Sequence, residues 1–377
     1  MPHLVALDLP GGVGFVDALR REWDAGNAVL PLDRRLPPPA RAALLAAMAP
    51  TRLVDEHGRH ELEGRGVEPG DALVMATSGS TGVPKGVVLT HAAVEASALA
   101  TSRHLGIGPA DRWLACLPLA HVGGLSVVTR ALVTGTPLEV HDGFDAERVE
   151  DAARKGATAV SLVATALRRI DPALFRVIVL GGARPPADRP GNCVTTYGLT
   201  ETGSGVVYDG RPLEGVDVHI GDDGEVLLRG PMLLREYRDG SSPLDADGWL
   251  HTGDLGRFLP DGRLHVDGRR GDMIVTGGEN VWPDAVEAVL QQHPSVAEVA
   301  VAGVPDPEWG SRVVAWVVPS TDSSPTLAEL RTWVSGHLAA FQAPKELHVV
   351  TTLPRTALGK VQRHLLGASR AEATDRH

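Results

Sequence analysis

The chain has 377 residues, 43% of them hydrophobic and 22% charged, which is enough for two domains and a substantial core. Its formal net charge of −11 argues against a nucleic-acid partner held by general electrostatic attraction, because phosphate backbones require a basic face. The only two cysteines, Cys116 and Cys193, are too few for a disulfide framework or a cysteine zinc site. They indicate core thiols in a reducing cytoplasm.

No segment resembles a targeting or membrane-spanning signal. Residues 1–9 lack a basic region followed by an apolar one. No run of about 18 apolar residues occurs anywhere in the sequence. The sequence therefore predicts a protein that is neither secreted nor inserted in a membrane.

A segment rich in glycine and hydroxyl side chains, residues 77–86, lies between strands predicted at 72–76 and 87–89. Glycines let consecutive N–H groups turn inward, hydroxyls add donors and Lys85 adds a positive charge, so the pattern predicts a phosphate-binding loop. It is not a Walker A loop, because Lys85 precedes a strand instead of opening a helix. A Gly/Ser turn without a ligand is the alternative. The candidate phosphate-binding residues are Thr77, Ser78, Gly79, Ser80, Thr81, Gly82 and Lys85.

Apolar runs and amphipathic stretches alternate from about residue 70 to 210, which is the pattern of βαβ units. Thr90 is a candidate cap for a helix over 91–105, and Gly106 would end that helix. Strands are predicted at 157–163 and 177–180.

The pattern changes twice in the second half of the chain. Alternating runs at 216–220 and 225–228, separated by Gly-Asp turns, predict a β-rich subdomain. After residue 268, a helix starting at Pro283 and strands at 296–301 and 313–318 predict a small α+β domain. We therefore predict an α/β protein with domains at 1–268 and 269–377.

Four more motifs follow the loop in order. They are Tyr197-Gly198-Leu199-Thr200-Glu201, residues 249–254, Gly268-Arg269 through Asp272 with 277–281, and residues 354–360. With the loop, these motifs resemble the adenylate-forming superfamily of acyl-CoA and aryl-CoA ligases, carrier-linked adenylation domains and luciferases. The resemblance extends from residue 70 to the end of the chain. In size and motifs the chain is most similar to short o-succinylbenzoate–CoA ligases.

The resemblance implies roles for residues around ATP. Lys85 and the loop would hold the β- and γ-phosphates, Thr200 would contact the α-phosphate and Glu201 would bind Mg²⁺. Taken alone, Thr200-Glu201 would more often mark the start of a helix, and an isolated aspartate before a turn would more often cap the backbone. The remaining nucleotide assignments are Tyr197, Gly181, Gly182 and Ala183 at adenine, and Asp254 with Arg269 at the ribose hydroxyls.

The resemblance also implies a C-terminal lid that rotates between two half-reactions. Lys360 would bridge the acyl carboxylate and the α-phosphate during adenylation. Gly271, where relatives often have Asp or Lys, would be the hinge. The acyl pocket would include His121, Gly123 and Gly124, with His121 packing and gating instead of acting as a base. The channel for the pantetheine arm of CoA would be lined by Gly277, Gly278, Glu279 and Asn280.

The function predicted from these motifs is that of an AMP-forming acid–CoA ligase that requires ATP, Mg²⁺ and CoA. A carboxylate and ATP would give acyl-AMP, and the CoA thiol would then displace AMP. One alternative is an adenylating enzyme that loads a separate carrier protein, since only 17 residues follow Lys360 (377 − 360). Another is a non-catalytic adenylate-binding regulator, against which the intact Lys85, Glu201, Asp254 and Lys360 argue. The sequence does not identify the acid, and it is compatible with a homodimer.

Overall fold

A computed structural model of the chain describes residues 1–78, 84–182, 188–320, 324–355 and 361–366. The fold divides into two compact units. The first unit contains Met1–Thr252 and Phe258–His265, and the second contains Gly253–Arg257 and the residues from Val266 onward. The domain boundary predicted between residues 268 and 269 stays a prediction.

Short apolar runs form most strands of the first 269 residues. In chain order they are β1 (Leu4–Asp8), β2 (Ala28–Pro31), β3 (Arg52–Asp55), β4 (Gly58–Glu61), β5 (Asp71–Ser78), β6 (Pro84–Thr90), β7 (Trp113–Ala115), β8 (Leu138–Val140), β9 (Ala159–Leu162), β10 (Val177–Leu180), β11 (Cys193–Tyr197), β12 (Val207–Tyr208), β13 (Arg211–Pro212), β14 (Asp217–Ile220), β15 (Glu225–Arg229), β16 (Glu236–Tyr237), β17 (Leu250–Phe258) and β18 (Leu264–Arg269). The helices are α1 (Val13–Asp24), α2 (Pro38–Met48), α3 (His91–His104), α4 (Val122–Thr134), α5 (Ala146–Arg154) and α6 (Ala164–Leu167).

These strands form three sheets. The first has the order β16-β6-β5-β2-β1-β3-β4, with β1 parallel to β2 and β3, and with β5 antiparallel to β6. The second has the order β13-β12-β11-β10-β9-β7-β8, and its strands from β8 to β11 are parallel. The third has the order β14-β15-β17-β18, and β17 and β18 each contain residues of both units. The predicted α/β class and β-rich region are therefore confirmed.

Residues 1–70, for which the motifs predict no role, form four of the seven strands of the first sheet. The apolar runs of β1 and β2 are buried almost completely, as continuous apolar strands in a covered sheet should be. Leu4, Leu30 and Met48 pack in one core cluster with Val74 and Val88 of the β5–β6 hairpin. The N-terminal residues thus support the strands that flank the phosphate-loop segment.

Predicted helix ends agree with local chemistry. The Thr90 hydroxyl accepts a hydrogen bond of 3.1 Å from the Ala93 amide, which caps α3. Gly106 follows the helix with a φ of 58°, a left-handed conformation that favours glycine.

Cys116 and Cys193 are both buried, as predicted, and burial raises the pKa of the Cys116 thiol to about 12. None of the helices in the described part of the chain could span a membrane.

The second unit continues with β19 (Ile274–Thr276), β20 (Glu279–Val281), α7 (Pro283–Leu290), β21 (Val296–Asp306), β22 (Gly310–Pro319), α8 (Leu327–Ser335) and β23 (Glu346–Val349). The sheet order is β20-β19-β22-β21, and β23 pairs in parallel with β22. Val286 and Leu290 of α7 pack on the sheet in the core of this unit. The structure thus confirms a small α+β fold here.

Candidate active site

The segment predicted to bind phosphate connects two paired strands. β5 and β6 are antiparallel, and their last pair is Ser78 with Pro84. The Thr77 hydroxyl donates a hydrogen bond of 3.4 Å to the Lys85 carbonyl, which closes the hairpin near this end. The two predicted strands are therefore confirmed but longer than predicted, because Thr77, Ser78 and Lys85 pair within them instead of lying in the loop. Its residues Gly79, Ser80, Thr81 and Gly82 lie outside the described residues.

Tyr237 brings two predicted catalytic residues into one cluster. β16 pairs with β6, so Tyr237 lies opposite Val87. The Tyr237 hydroxyl donates a hydrogen bond of 2.8 Å to Glu201 Oε1. The ammonium nitrogen of Lys85 lies 4.8 Å from the centre of the Tyr237 ring, at cation–π distance. Sequence reasoning missed Tyr237, because no spacing along the chain places residue 237 beside residues 85 and 201.

A tight turn presents Thr200 and Glu201. They begin a single 3₁₀ turn, Thr200–Thr202, which follows β11. The Thr202 hydroxyl and the Leu199 backbone hydrogen-bond across this turn at 2.9 Å, and Gly203 ends it with a φ of 65°. The Thr-Glu pair therefore starts a short 3₁₀ turn, as the isolated pattern predicts, and the Glu201 side chain is also fixed by Tyr237.

Magnesium fits the Glu201 carboxylate. Among the described residues, no three His, Cys, Asp or Glu side chains cluster as a ready-made metal site. Mg²⁺ does not need one, because it keeps several waters and is usually bound by one or two carboxylates together with substrate phosphates. Glu201 is a half-buried carboxylate in a cluster with the Lys85 ammonium, which suits that mode of binding.

The residues predicted at adenine lie at the carboxyl ends of two parallel strands. Gly181 and Gly182 follow β10, and Tyr197 ends the neighbouring β11. A Cβ on Gly181 would lie 2.9 Å from the Thr196 hydroxyl, so a side chain there would require Thr196 of β11 to shift. Ligands of α/β sheets usually bind at this edge. Ala183 lies outside the described residues.

His121 contacts an ion pair formed by two residues from the N-terminal part of the chain, Asp33 and Arg35. His121 Nε2 lies 3.3 Å from Asp33 Oδ2, and Asp33 also accepts two hydrogen bonds from the Arg35 guanidinium. Burial lowers the pKa of His121 to about 4, although the Asp33 carboxylate opposes this shift. Burial also disfavours the Asp33 carboxylate, but the hydrogen bonds from Arg35 outweigh burial and lower its pKa to about 2. A neutral imidazole beside a carboxylate fits the predicted packing role better than that of a base.

We predict that His121 makes the folded chain less stable as the pH falls from 6.5 to about 4. In this window the unfolded chain protonates His121 and the folded chain does not, so acid favours unfolding. The effect should reach about 2–3 kcal/mol. Urea unfolding between about pH 7 and pH 4 would measure it in the wild type and in His121→Gln, which keeps a donor for Asp33. Identical pH dependence in the two proteins would contradict the assignment.

Gly123 and Gly124 lie in the first turn of α4, after His121 at its N-cap. A Cβ on Gly124 would lie 2.5 Å from the Leu117 carbonyl oxygen, whereas one on Gly123 would meet nothing closer than a Leu117 methyl carbon at 3.8 Å. Gly124 is therefore required by backbone packing. The structure places both glycines beside His121, and their role at the acyl group stays a prediction.

Arg130 is a second residue that sequence reasoning missed. It is 2% exposed, and its guanidinium carbon lies 5.6 Å from the centre of the Trp113 ring. Nη2 donates to the Ser204 hydroxyl, while Nε and Nη1 have no hydrogen-bond partner within the described ranges. A buried cation without an anion is strongly unfavourable, and none of the described residues gives Arg130 one, so Arg130 is a candidate anion-binding residue. The sequence does contain a signal for this residue, because Arg130 is the only charged residue of the apolar helix α4.

The second unit contains the remaining predicted site residues. Arg269 Nε donates a hydrogen bond of 3.1 Å to Asp254 Oδ1, so the two predicted ribose ligands are paired. Gly271 lies in an exposed 3₁₀ turn, 270–272. The loop predicted to line the CoA channel is part of a β-hairpin, in which Gly277 and Gly278 join β19 to β20. Its exposed residues are Gly277, Gly278, Glu279 and Asn280.

Lys360 lies outside the described residues. The residues on either side of the segment that carries it, Arg355 and Val361, form an isolated antiparallel bridge. Arg355 also forms an ion pair of 2.6 Å with Glu298. The roles of Lys360 and of the other site residues remain predictions.

Comparisons of the sequence with known protein families and with known proteins agree with one another. Residues 60–238 match the family of AMP-binding enzymes, and residues 285–360 match the AMP-binding enzyme C-terminal domain. The 2-succinylbenzoate–CoA ligase of Listeria monocytogenes serotype 4b (strain F2365) is 36% identical over 325 residues, which cover 78% of this chain and 69% of that protein.

Two solved structures of the o-succinylbenzoate CoA synthetase from Bacillus subtilis are also similar. The complex with the acyl-adenylate intermediate has a TM-score of 0.88 and 30% identity, and covers 97% of this chain and 88% of that one. The complex with ATP and a magnesium ion has a TM-score of 0.85 and 29% identity, with coverages of 97% and 89%. These matches confirm the predicted superfamily and fold. The chain therefore belongs to the family of AMP-binding enzymes.

Proposed function

We propose that this chain is an AMP-forming acid–CoA ligase whose acid carries a second carboxylate, as 2-succinylbenzoate does. The expectation of a ligase that uses ATP, Mg²⁺, a carboxylic acid and CoA agrees with the names and bound ligands of the matched proteins. Nothing in these matches favours carrier loading or a non-catalytic regulator. The homodimer and the cytoplasmic location stay predictions.

The first half-reaction joins two anions, so positioning and charge stabilisation must do most of the work. Lys85 stabilises negative charge on the phosphates, and Thr200 donates its hydroxyl to the α-phosphate. Glu201 would hold Mg²⁺, which supplies a positive charge on the phosphate oxygens when bound. Tyr197 packs against adenine, and Asp254 with Arg269 binds the ribose. Lys360 bridges the acyl carboxylate and the α-phosphate.

In the second half-reaction, the thiol of CoA attacks the acyl-adenylate and AMP leaves. The exposed hairpin tip at Gly277-Gly278 lets a thin pantetheine arm approach the backbone closely. Gly271 allows the backbone rotation that the change between half-reactions requires. His121, Gly123 and Gly124 border the acyl group.

The observation that carries the choice of acid is the buried Arg130. Adenylation consumes one carboxylate of 2-succinylbenzoate and leaves the other anionic. Nε and Nη1 of Arg130 are buried and have no hydrogen-bond partner within the described ranges, and they would donate two hydrogen bonds to that second carboxylate when the acid binds. Trp113 supplies an apolar surface beside the guanidinium, since its ring lies 5.6 Å away. An acid without a second carboxylate would leave the buried cation without an anion.

We expect the wild type to convert 2-succinylbenzoate, ATP and CoA to acyl-AMP and then to the CoA thioester. Arg130→Met should lower kcat/KM for this acid by about 10- to 100-fold, because hydrogen bonds to charged groups contribute about 1.5–3 kcal/mol. Mass spectrometry that quantifies acyl-AMP and acyl-CoA separately measures both half-reactions. Two monoacids, 4-oxo-4-phenylbutanoate and 2-butanoylbenzoate, each lack one of the two carboxylates.

The monoacid that lacks the carboxylate bound by Arg130 serves as the control. Its low kcat/KM should be the same for the wild type and Arg130→Met, and Arg130→Lys should keep part of the preference for the dicarboxylate. An equal loss for dicarboxylate and monoacid in a folded variant would remove Arg130 from substrate choice. Transfer to a carrier protein with no detectable CoA thioester would support the carrier-loading alternative instead.

A further inference from the structure

Tyr237 contacts the two charged residues on which the proposed adenylation depends. We propose that Tyr237 is a positioning residue that fixes the Glu201 carboxylate for cation binding and holds the Lys85 ammonium on its ring face. This inference rests on the proposed function, because it takes the roles of Lys85 and Glu201 from there. It adds a group that the motifs do not contain.

The backbone around Tyr237 is fixed on both sides. The Arg235 amide donates to the Val88 carbonyl at 2.9 Å, and the Arg238 amide donates to the Gly86 carbonyl at 2.6 Å. Tyr237 therefore lies between two hydrogen bonds to β6, the strand that contains Lys85. A displacement of Tyr237 relative to Lys85 would break this pairing.

The side chains of the flanking arginines strengthen the attachment. The Arg235 guanidinium donates two hydrogen bonds of 3.0 Å to Asp71, which is 2% exposed. The Arg238 guanidinium is buried, and its hydrogen bonds to the described residues go to backbone carbonyls. Its partners are the carbonyl oxygens of Met48 at 3.0 Å, Gly66 at 2.7 Å, Ala49 at 3.4 Å and Arg65. Burial lowers the pKa of Arg238 to about 10, although the nearby carboxylates of Asp71 and Glu236 oppose this shift.

Both the backbone and the side chain of Glu201 are held by residues 234–237. The Leu234 amide donates to the Glu201 carbonyl at 2.7 Å, and the Tyr237 hydroxyl donates to Glu201 Oε1 at 2.8 Å. A glutamate side chain otherwise loses considerable rotamer freedom when it is fixed on a cation. The Tyr237 hydroxyl already orients Oε1 of Glu201. The position of Oε2 is therefore also fixed before a cation binds, and little further side-chain entropy is lost.

The aromatic ring of Tyr237 contacts the other charged group, the Lys85 ammonium. Lys85 has a flexible stem and a compact ammonium group, so it needs a contact that holds it near the phosphates. The ring face of Tyr237 at 4.8 Å provides that contact without neutralising the charge, as a carboxylate would. The hydroxyl and the ring of Tyr237 thus have separable effects.

The test is calorimetric binding of α,β-methylene-ATP, which cannot transfer its adenylyl group to an acid, with Mg²⁺ and with EDTA. Tyr237→Phe keeps the ring and removes the hydroxyl, so affinity with Mg²⁺ should fall about tenfold, the size expected for one hydrogen bond to a charged group. Affinity in EDTA should stay unchanged. Tyr237→Leu also removes the ring and should weaken binding in EDTA as well.

Tyr208→Phe is the matched control. It removes a hydroxyl from the fully buried Tyr208, which hydrogen-bonds Thr101 at 3.3 Å. Its nucleotide affinity should equal that of the wild type in both conditions, and thermal unfolding verifies that each variant is folded. Tyr237→Phe binding that matches the wild type with Mg²⁺, or that falls equally in EDTA, would overturn the proposal.

Glu201→Gln separates this proposal from the proposed function. If Glu201→Gln keeps the full Mg²⁺-dependent gain in affinity, the proposed role of Glu201 is wrong. If Glu201→Gln loses that gain while Tyr237→Phe behaves as the wild type, only the positioning role of Tyr237 is overturned. Loss in both variants supports both.

Discussion

Lys360→Ala should lose adenylation by about 10²–10³-fold, which is the typical effect of removing one well-placed donor to a developing charge. If Lys360 bridges the carboxylate and the α-phosphate only during adenylation, it stabilises the first transition state and not the second. The variant should therefore still convert synthetic acyl-AMP and CoA to the thioester at a rate near that of the wild type. Single-turnover product formation in each half-reaction measures both rates.

Lys155→Ala is a suitable control for this experiment. Lys155 is an exposed lysine that forms an ion pair with Asp151, four residues earlier in the chain. Its removal should change neither half-reaction, because exposed pairs of this kind contribute little even to stability. Normal adenylation by Lys360→Ala would remove Lys360 from the mechanism.

The second large effect is expected at Gly124. A Cβ there would lie 2.5 Å from the Leu117 carbonyl oxygen and 2.8 Å from the Pro118 carbonyl carbon, and neither backbone atom can rotate away. Gly124→Ala should therefore destabilise the chain by about 3 kcal/mol or more, at the upper end for overpacking. Because α4 must shift to relieve the contact, His121 at its N-cap should shift with it. Chemical denaturation measures the stability.

Gly123→Ala is the matched variant one residue away in the same helical turn. Its Cβ would meet only a methyl carbon at 3.8 Å, which is ordinary contact. The gain in helix propensity should leave it neutral or more stable by about 0.5–1 kcal/mol. Similar stability of the two variants would mean that the Leu117–Pro118 backbone accommodates a side chain without strain.

The parts of the fold with strong local signals could be predicted from the sequence. The strand at 177–180 is found at those residues, and α3 begins at His91 after Thr90, because a cap and a glycine define a helix through local chemistry. The strand predicted at 157–163 is confirmed but shorter, at Ala159–Leu162. The strands predicted at 296–301 and 313–318 are longer, because β21 and β22 support each other as a hairpin beyond their apolar runs.

The parts that depend on distant partners could not be predicted. β20 was missed because Glu279 and Asn280 have low strand propensity, and pairing with β19 outweighs it. The partners of the site were missed for the same reason. Asp33 is 88 residues from His121, and Tyr237 is 36 residues from Glu201, so only the folded chain brings them together. Arg130 differs, since a lone charge in an apolar helix is visible in the sequence.

The position of β16 at the end of the first sheet also determines how long that sheet remains unfinished during synthesis. β6 ends at Thr90, and among the described residues its outer edge pairs with the segment that ends at Arg238, 148 residues later (238 − 90). At about 5–20 residues per second, a ribosome needs roughly 7–30 s to make this interval. During that time the nascent chain has an open strand edge that can pair with another chain. Chaperone protection in this interval should therefore affect the yield of native protein more than protection after residue 238 has emerged.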